Sequence, residues 1–180
     1  MDFEHHMREV VPPGYRQTAP ASRPARLFAV HESNTTILEL HPTTGDTLNQ
    51  FPTPVGNPYS NAMGLAFDGQ YLYFLTVVDS TLYQLDPDTG AVLNSSALPH
   101  AGYDGLAILD GCVYATDLDL DRIRVIDPST GEVVRTISPG TVNPGENFLG
   151  ALGEIAAPNA LVATLSNSND AVFLNPLTGQ

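Results

Sequence analysis

The segment DLDLD contains three aspartates that alternate with leucine, Asp117, Asp119 and Asp121. In an extended strand, alternate side chains point to one side, so the three carboxylates would lie together. Carboxylate oxygens are the ligands that hard cations such as Ca²⁺ prefer. However, Arg122 and Pro128 stand where a helix–loop–helix calcium loop needs glycine and a bidentate glutamate. We therefore expect an exposed hairpin here, with calcium binding as the less favoured alternative.

A second set of polar side chains lies just before three segments of small residues, GLAF, GLAI and GALG. The set comprises Asn61, Asp104, Glu146 and Asn147, with Tyr103 beside Asp104. Carboxylates and amides that come together could hold calcium and polarise the carbonyl group of an ester or a lactone. The simpler interpretation is that Asn, Asp and Gly are ordinary residues of connecting loops.

The sequence contains no motif for nucleophilic or cofactor chemistry. It lacks G-x-S-x-G, C-x-x-C, H-E-x-x-H and a Gly-rich phosphate loop, and its five histidines are scattered. The single cysteine rules out an intramolecular disulfide. We therefore expect that no cofactor is required, with calcium as a candidate ion.

The composition predicts one all-β unit. A chain of 180 residues suits a single domain, and 15 glycines and 15 prolines favour turns over long helices. The formal charge of −13 repels phosphate backbones and anionic lipids, so nucleic acid and membranes are poor partners. The chain shows neither an apolar run of transmembrane length nor a signal-peptide pattern, so we expect a soluble chain of unassigned location.

A tight turn recurs four times along the chain. The copies are HPTTG at 41–45, DPDTG at 86–90, DPSTG at 127–131 and NPLTG at 175–179. Their glycines are 45, 41 and 48 residues apart, which is the period of a propeller blade or a helical repeat. In such a turn Asp or Asn accepts backbone hydrogen bonds, Pro presets φ and Gly supplies a positive φ. The residue before each copy is aliphatic: Leu40, Leu85, Ile126 and Leu174.

The segments upstream of each turn predict strands. RLFAV, YLYFLTVV, CVYAT and ALVATL are continuously apolar, as expected of strands that are buried on both faces. GLAFDG, GLAILDG and GALGEI contain small residues that suit a crowded inner strand. The predicted unit is therefore an inner strand, a buried strand, a half-buried strand, the turn and an outer strand. An ordinary β-sandwich is the alternative.

The copy VYATDLDLDRIRVIDPSTGEVVRTI resembles the blades of the YVTN and NHL-like bacterial β-propellers, and the likeness covers about residues 27–179. It implies an all-β propeller of about four blades, each with four antiparallel strands. The blade limits would be approximately 27–54, 61–99, 103–139 and 148–180. The resemblance also implies that inner strands begin beside a central channel. Asn61, Asp104, Glu146 and Asn147 would then converge at its mouth, as similar side chains surround the cation of metal-dependent propeller lactonases.

The first copy lacks an inner strand, and the last stops before its outer strand. Within the N-terminal segment 1–26, REVVPPG resembles EVVRTISPG, so residues 8–12 are a candidate closing strand for the fourth blade. Residues 16–22 are a weaker candidate for the missing inner strand. Three arrangements stay open: a closed four-blade ring, a homodimeric eight-blade ring, and an excerpt of a longer propeller.

The expected function is a non-enzymatic binding or protein-interaction module, with a protein or a small molecule as its unidentified ligand. The alternative is a metal-dependent hydrolase, similar to a lactonase or an esterase, with its site at the central channel.

Overall fold

The computed structural model consists of β-strands and connecting turns in the residues that it describes. Those residues are 25–31, 35–55, 63–77, 79–138, 148–155, 160–165 and 171–179. Within them, fourteen strands form four antiparallel sheets. None of these segments forms a helix with the length and apolar character needed to cross a membrane.

The four sheets follow one another along the chain, and we call them blades 1 to 4. Blade 1 contains β1 (Leu27–His31), β2 (Thr36–Leu40) and β3 (Thr47–Pro52). Blade 2 contains β4 (Met63–Phe67), β5 (Leu72–Thr76), β6 (Asp79–Leu85) and β7 (Val92–Ala97). Blade 3 contains β8 (Tyr103–Leu109), β9 (Cys112–Asp117), β10 (Arg122–Ile126) and β11 (Val133–Ile137). Blade 4 contains β12 (Phe148–Ile155), β13 (Ala160–Leu165) and β14 (Ala171–Leu174). In each blade the strands lie side by side in chain order.

Blades 2 and 3 confirm the predicted unit of four strands with the X-Pro turn between the last two. Among the described residues, blade 1 begins with its second strand and blade 4 ends with its third. The segments suggested as replacements, residues 8–12 and 16–22, lie outside the described residues.

The inner strands pack closely beside one another. A Cβ atom on Gly64 of β4 would lie 2.3 Å from the carbonyl oxygen of Asp104 in β8, so these backbones could not approach so closely with any larger residue. Ala107 of β8 is also completely buried. Behind these strands, every residue of β5 is buried, which confirms the interpretation of its continuous apolar sequence.

Three hydrophobic cores lie between successive blades. Ile37 and Phe51 of blade 1 pack with Leu72, Phe74 and Leu85 of blade 2. The core between blades 2 and 3 includes Tyr73, Leu75 and Leu82 on one side and Val113, Ala115 and Ile126 on the other. The core between blades 3 and 4 includes Tyr114, Ile123 and Val125 opposite Leu152, Leu161 and Leu174. The second strand of a blade is therefore buried on both faces because one neighbouring blade packs on each face.

Each X-Pro turn is held by the same internal hydrogen bonds. In all four turns the glycine amide donates to the carbonyl oxygen of the first residue, at 2.8–2.9 Å. Asp86 Oδ1 also accepts from the amides of Asp88 and Thr89, at 3.0 and 2.8 Å. Asn175 accepts in the same way in blade 4, and His41 does so through Nδ1 in blade 1. His41 therefore takes the place of the Asp or Asn side chain in the first turn.

The turns also dock on the outer strand of the preceding blade. Asn49 Nδ2 of β3 donates to the carbonyl oxygen of Asp88 at 2.9 Å. Ser96 Oγ of β7 donates to the carbonyl oxygen of Pro128 at 3.4 Å. Arg135 of β11 donates to the turn of blade 4 at 3.1 Å. The recurring turn therefore joins two strands within a blade and fastens that blade to the one before it.

Arg26 reinforces the junction between blades 1 and 2. Its Nε and Nη2 atoms bond both oxygens of Glu39 at 2.7 and 2.8 Å, and Nη1 lies 2.9 Å from Asp88 Oδ1. The guanidinium also lies over the Phe28 ring, 4.9 Å from its centroid. The hydrogen bond from Arg26 lowers the pKa of Glu39 below its usual value. This cluster links two strands of blade 1 to the turn of blade 2.

Candidate functional site at the loop end of blade 3

Two connections meet at one end of blade 3, which we call the loop end. Tyr103 opens the inner strand β8 and pairs with Asp117, the last residue of β9. The connection from β7, residues 98–102, therefore arrives beside the β9–β10 hairpin, residues 118–121. The X-Pro turn at 127–131 lies at the opposite end of the sheet.

A buried carboxylate lies at the base of the loop end. The side chain of Asp117 is inaccessible to solvent, and its Oδ2 accepts a hydrogen bond from Arg124 Nε at 2.8 Å. His100 Nε2 lies 3.3 Å from the same oxygen. Oδ1 accepts from the amide of Leu120 at 3.2 Å. Because a buried carboxylate without partners is costly, these contacts make Asp117 a structural anchor for both connections.

Two aromatic rings close the cluster. The rings of His100 and Tyr103 stack with centroids 4.8 Å apart and an interplanar angle of 17°. The Tyr103 hydroxyl lies 3.4 Å from His100 Nε2, and burial raises the pKa of this phenol. Tyr103 is buried and both Asp117 oxygens accept hydrogen bonds or contacts within the cluster, so these two groups serve to hold the connections together. Its geometry suits holding the loops in place.

The remaining aspartates of DLDLD lie in a turn and not along an extended strand. Residues 118–121 form the hairpin, and Asp121 adopts a left-handed conformation with φ of +52°. Asp119 is exposed and lies against Gly102, where an added Cβ would come within 2.7 Å of Asp119 Oδ2. The predicted hairpin is confirmed. The three carboxylates would lie on one side only if residues 117–121 formed an extended strand, and the chain instead turns after Asp117.

Of the residues predicted to gather at the channel mouth, the structure locates Asp104, which is half-buried in β8. Asn61, Glu146 and Asn147 lie outside the described residues. In the described part of the chain, no three His, Cys, Asp or Glu side chains form a group that could hold a metal ion. The metal site at the mouth and the one at the hairpin stay predictions.

The buried acid–base pair distinguishes blade 3 from its neighbours. Strand register equates Asp117 with Thr76 in blade 2, and Arg124 with Tyr83. Arg124 and His100 were not among the site residues predicted from the sequence. A signal for Arg124 exists, because Arg122 pairs with Asp117 across the hairpin and Arg124 follows on the same face. No comparable signal identifies His100, which comes from another connection.

No protein-family model matches the chain, and no curated protein sequence matches it. Solved structures do match. Glutaminyl cyclase from Myxococcus xanthus aligns with a TM-score of 0.67 and 18% identity, over 84% of this chain and 68% of that chain. The streptogramin B lyase structure aligns with a TM-score of 0.58 and 19% identity, over 88% of this chain and 50% of that chain.

The WD40 beta propeller domain of Doa1 aligns with a TM-score of 0.55 and 13% identity, over 82% of this chain and 46% of that chain. This chain therefore spans between about half and two thirds of the length of these proteins. At such identities the likeness concerns the fold, and their different names give no common activity. Together with the four antiparallel sheets, it establishes that this chain has the fold of a β-propeller.

Proposed function

We propose that the protein is a non-enzymatic binding module and that its ligand contacts the loop end. The observation that carries this proposal is the Asp117 cluster, which uses its acid, base and phenol to hold two connections together. A surface that is rigid before binding loses less conformational entropy when a ligand arrives. This role agrees with the resemblance of the blade-3 sequence to YVTN and NHL-like propellers, whose members serve many purposes.

The charge of the loop end favours a cationic ligand, such as a basic peptide. Asp104, Asp119 and Asp121 lie on or beside the two connections that the cluster holds, and none of the three is buried. The whole chain carries a formal charge of −13. Acidic groups on a preformed surface attract positively charged partners and select against anionic ones.

A peptide library displayed on phage tests this proposal. Peptides selected on the wild-type protein should be rich in Lys and Arg. They should lose at least about tenfold in affinity on a variant that carries Asp104→Asn, Asp119→Asn and Asp121→Asn. Asparagine keeps the size of each side chain and tolerates the left-handed conformation at position 121.

A control variant carries Asp46→Asn and Glu132→Gln, which neutralise two exposed acids at the opposite end of the blades. It should bind the selected peptides as the wild type does. Equal loss on both variants, or no loss on the loop-end variant, would contradict the proposed location of the binding surface.

A calcium titration distinguishes this function from the competing one, a lactonase-like or esterase-like hydrolase with Asn61, Asp104, Glu146 and Asn147 around the ion. If calcium raises the melting temperature and Asp104→Ala abolishes that rise, the hydrolase is supported. A rise that Asp119→Ala abolishes and Asp104→Ala preserves would place the ion at the hairpin. No response to calcium or other divalent ions, with no hydrolysis of lactones and nitrophenyl esters, supports the binding module.

A further inference from the structure

The interfaces between blades bury the same register positions in blades 2, 3 and 4. In each blade the last residue of the third strand pairs with the second strand, and both side chains face the preceding blade. These pairs are Leu72 with Leu85, Val113 with Ile126, and Leu161 with Leu174. All six side chains are 0–2% exposed.

The equivalent pair in blade 1 is not covered. Leu27 pairs with Leu40, yet Leu27 is 44% exposed and Leu40 is only partly buried. We call the surface that contains these two residues the backward face of blade 1. It has the apolar residues of an inter-blade contact, but no blade in the described part of the chain lies on it.

The forward face of blade 4, which contains Phe173, is also uncovered. Val125 directly precedes Ile126 on β10, is 2% exposed, and packs in the core between blades 3 and 4. Phe173 occupies the same position on β14, directly before Leu174, and is 67% exposed. A large aromatic side chain therefore stands where the next blade would pack.

The X-Pro turn of blade 1 lacks the support that the other turns have. Pro87 and Pro176 are buried in their turns, whereas Pro42 is exposed. A Cβ on Gly90 would lie 2.3 Å from the Phe51 ring, while one on Gly45 would meet no described atom within 4 Å. Both ends of the four-blade array are thus open on the surfaces that other blades use for contact.

We propose that the backward face of blade 1 packs on the forward face of blade 4 of a second copy of this chain. Two such contacts related by a twofold axis would close a ring of eight blades. A second copy offers both faces in complementary form: its blade 4 can cover Leu27 and its blade 1 can cover Phe173, which are 44% and 67% exposed in one chain. The new interface continues the type of contact that already joins the blades. It goes beyond the binding function proposed above and does not depend on it.

Charge predicts how this association responds to salt. Each copy carries a formal charge of −13, so two copies repel each other when salt is low. The contact residues themselves are apolar. Association should therefore strengthen as salt rises to physiological concentration and screens the repulsion.

Light scattering coupled to size-exclusion chromatography tests the assembly on the full chain. At about 0.15 M salt the wild-type protein should show twice the chain mass of 19.2 kDa. Phe173→Glu should reduce the mass to that of one chain, because it places a charge in the interface without touching a core. The control is Leu93→Glu, since Leu93 is 52% exposed on the outer strand β7, away from both faces, and this variant should stay dimeric.

A mixing experiment tests the head-to-tail geometry. Leu27→Glu and Phe173→Glu should each be monomeric alone, but an equimolar mixture should form a heterodimer through its one intact contact. Such rescue would also show that both variants are folded. The proposal is wrong if the wild-type protein is monomeric up to about 100 µM, well above the concentrations at which specific dimers form. It is also wrong if Leu27→Glu alone remains dimeric, if Leu93→Glu dissociates the dimer, or if the mass exceeds that of two chains.

Discussion

Replacing Gly131 with alanine should destabilise the protein more than the same change at Gly45, although both glycines have φ of +77°. The shared left-handed conformation costs alanine about 1 kcal/mol at either position. The difference lies in what the new Cβ atom meets. At Gly131 it would lie 2.6 Å from the carbonyl oxygen of Ala97 and 2.9 Å from Ser96 Cβ, whereas at Gly45 it meets no described atom within 4 Å.

The magnitude follows from the contact with blade 2. The oxygen of Ala97 belongs to the backbone of β7, so the turn and the strand must separate from 2.6 Å to an ordinary contact of about 3.4 Å. Overpacking of this kind costs about 1–3 kcal/mol. We therefore expect Gly131→Ala to reduce the free energy of unfolding by about 2–4 kcal/mol, and Gly45→Ala by about 1 kcal/mol.

Urea unfolding monitored by far-UV circular dichroism measures both losses, and it suits a protein that has no tryptophan. The protein should be dilute, so that association does not contribute to its stability. Gly90→Ala should behave like Gly131→Ala, because its Cβ would lie 2.3 Å from the buried Phe51 ring. If Gly131→Ala and Gly45→Ala agree within about 0.5 kcal/mol, the turns do not fasten the blades and the docking argument is refuted.

Two further predictions concern charged groups. Arg26→Met should cost about 1.5–3 kcal/mol in urea unfolding, because it leaves Glu39, whose side chain is 13% exposed, without its bidentate partner. Arg122→Met, the control, should lower the free energy of unfolding by less than about 0.5 kcal/mol. If the effects of Arg26→Met and Glu39→Gln are additive in a double-mutant cycle, the ion pair between Arg26 and Glu39 does not stabilise the fold. Asp127→Asn should make the free energy of unfolding depend less on pH, because the Ser129 hydroxyl and two backbone amides lower the pKa of Asp127. That carboxylate stabilises the fold above its unfolded pKa of about 3.9 and loses this effect as pH falls through the lower folded value. The stability gap between wild type and Asp127→Asn should thus shrink between pH 7 and about 2.5, and a constant gap would speak against it.

The repeating unit could be predicted because its signals are local. Within five residues, an Asx side chain, proline and glycine specify the turn, and an aliphatic residue just before it fixes which face is buried. The first turn residue must accept backbone hydrogen bonds, and it need not be Asp or Asn. In the first turn His41 Nδ1 accepts hydrogen bonds equivalent to those that Asp86 accepts through a carboxylate oxygen. Strand order follows directly, because each turn can join only neighbouring antiparallel strands.

The Asp117 cluster could not be predicted in full because its members come from separate connections. The alternation in DLDLD indicates three aligned carboxylates only if the chain stays extended, and the turn after Asp117 buries one acid while it exposes another. His100 reaches Asp117 because the connection from blade 2 happens to end beside the hairpin of blade 3. Such a contact depends on the path between blades, about which the pattern inside one blade carries no information.

The aliphatic residues before the four turns differ in burial although they are equivalent in sequence. Leu40, Leu85, Ile126 and Leu174 are equivalent in sequence, so a local pattern predicts equal burial for all of them. In the structure three of them are buried, and the neighbouring blade is what buries them. Leu40 and its partner Leu27 are aliphatic like the other pairs, but no blade of the described chain packs on them. The contact between neighbouring blades therefore determines whether these residues are buried. The backward face of blade 1 is apolar but uncovered in the described chain, as expected if a second copy of the chain covers it.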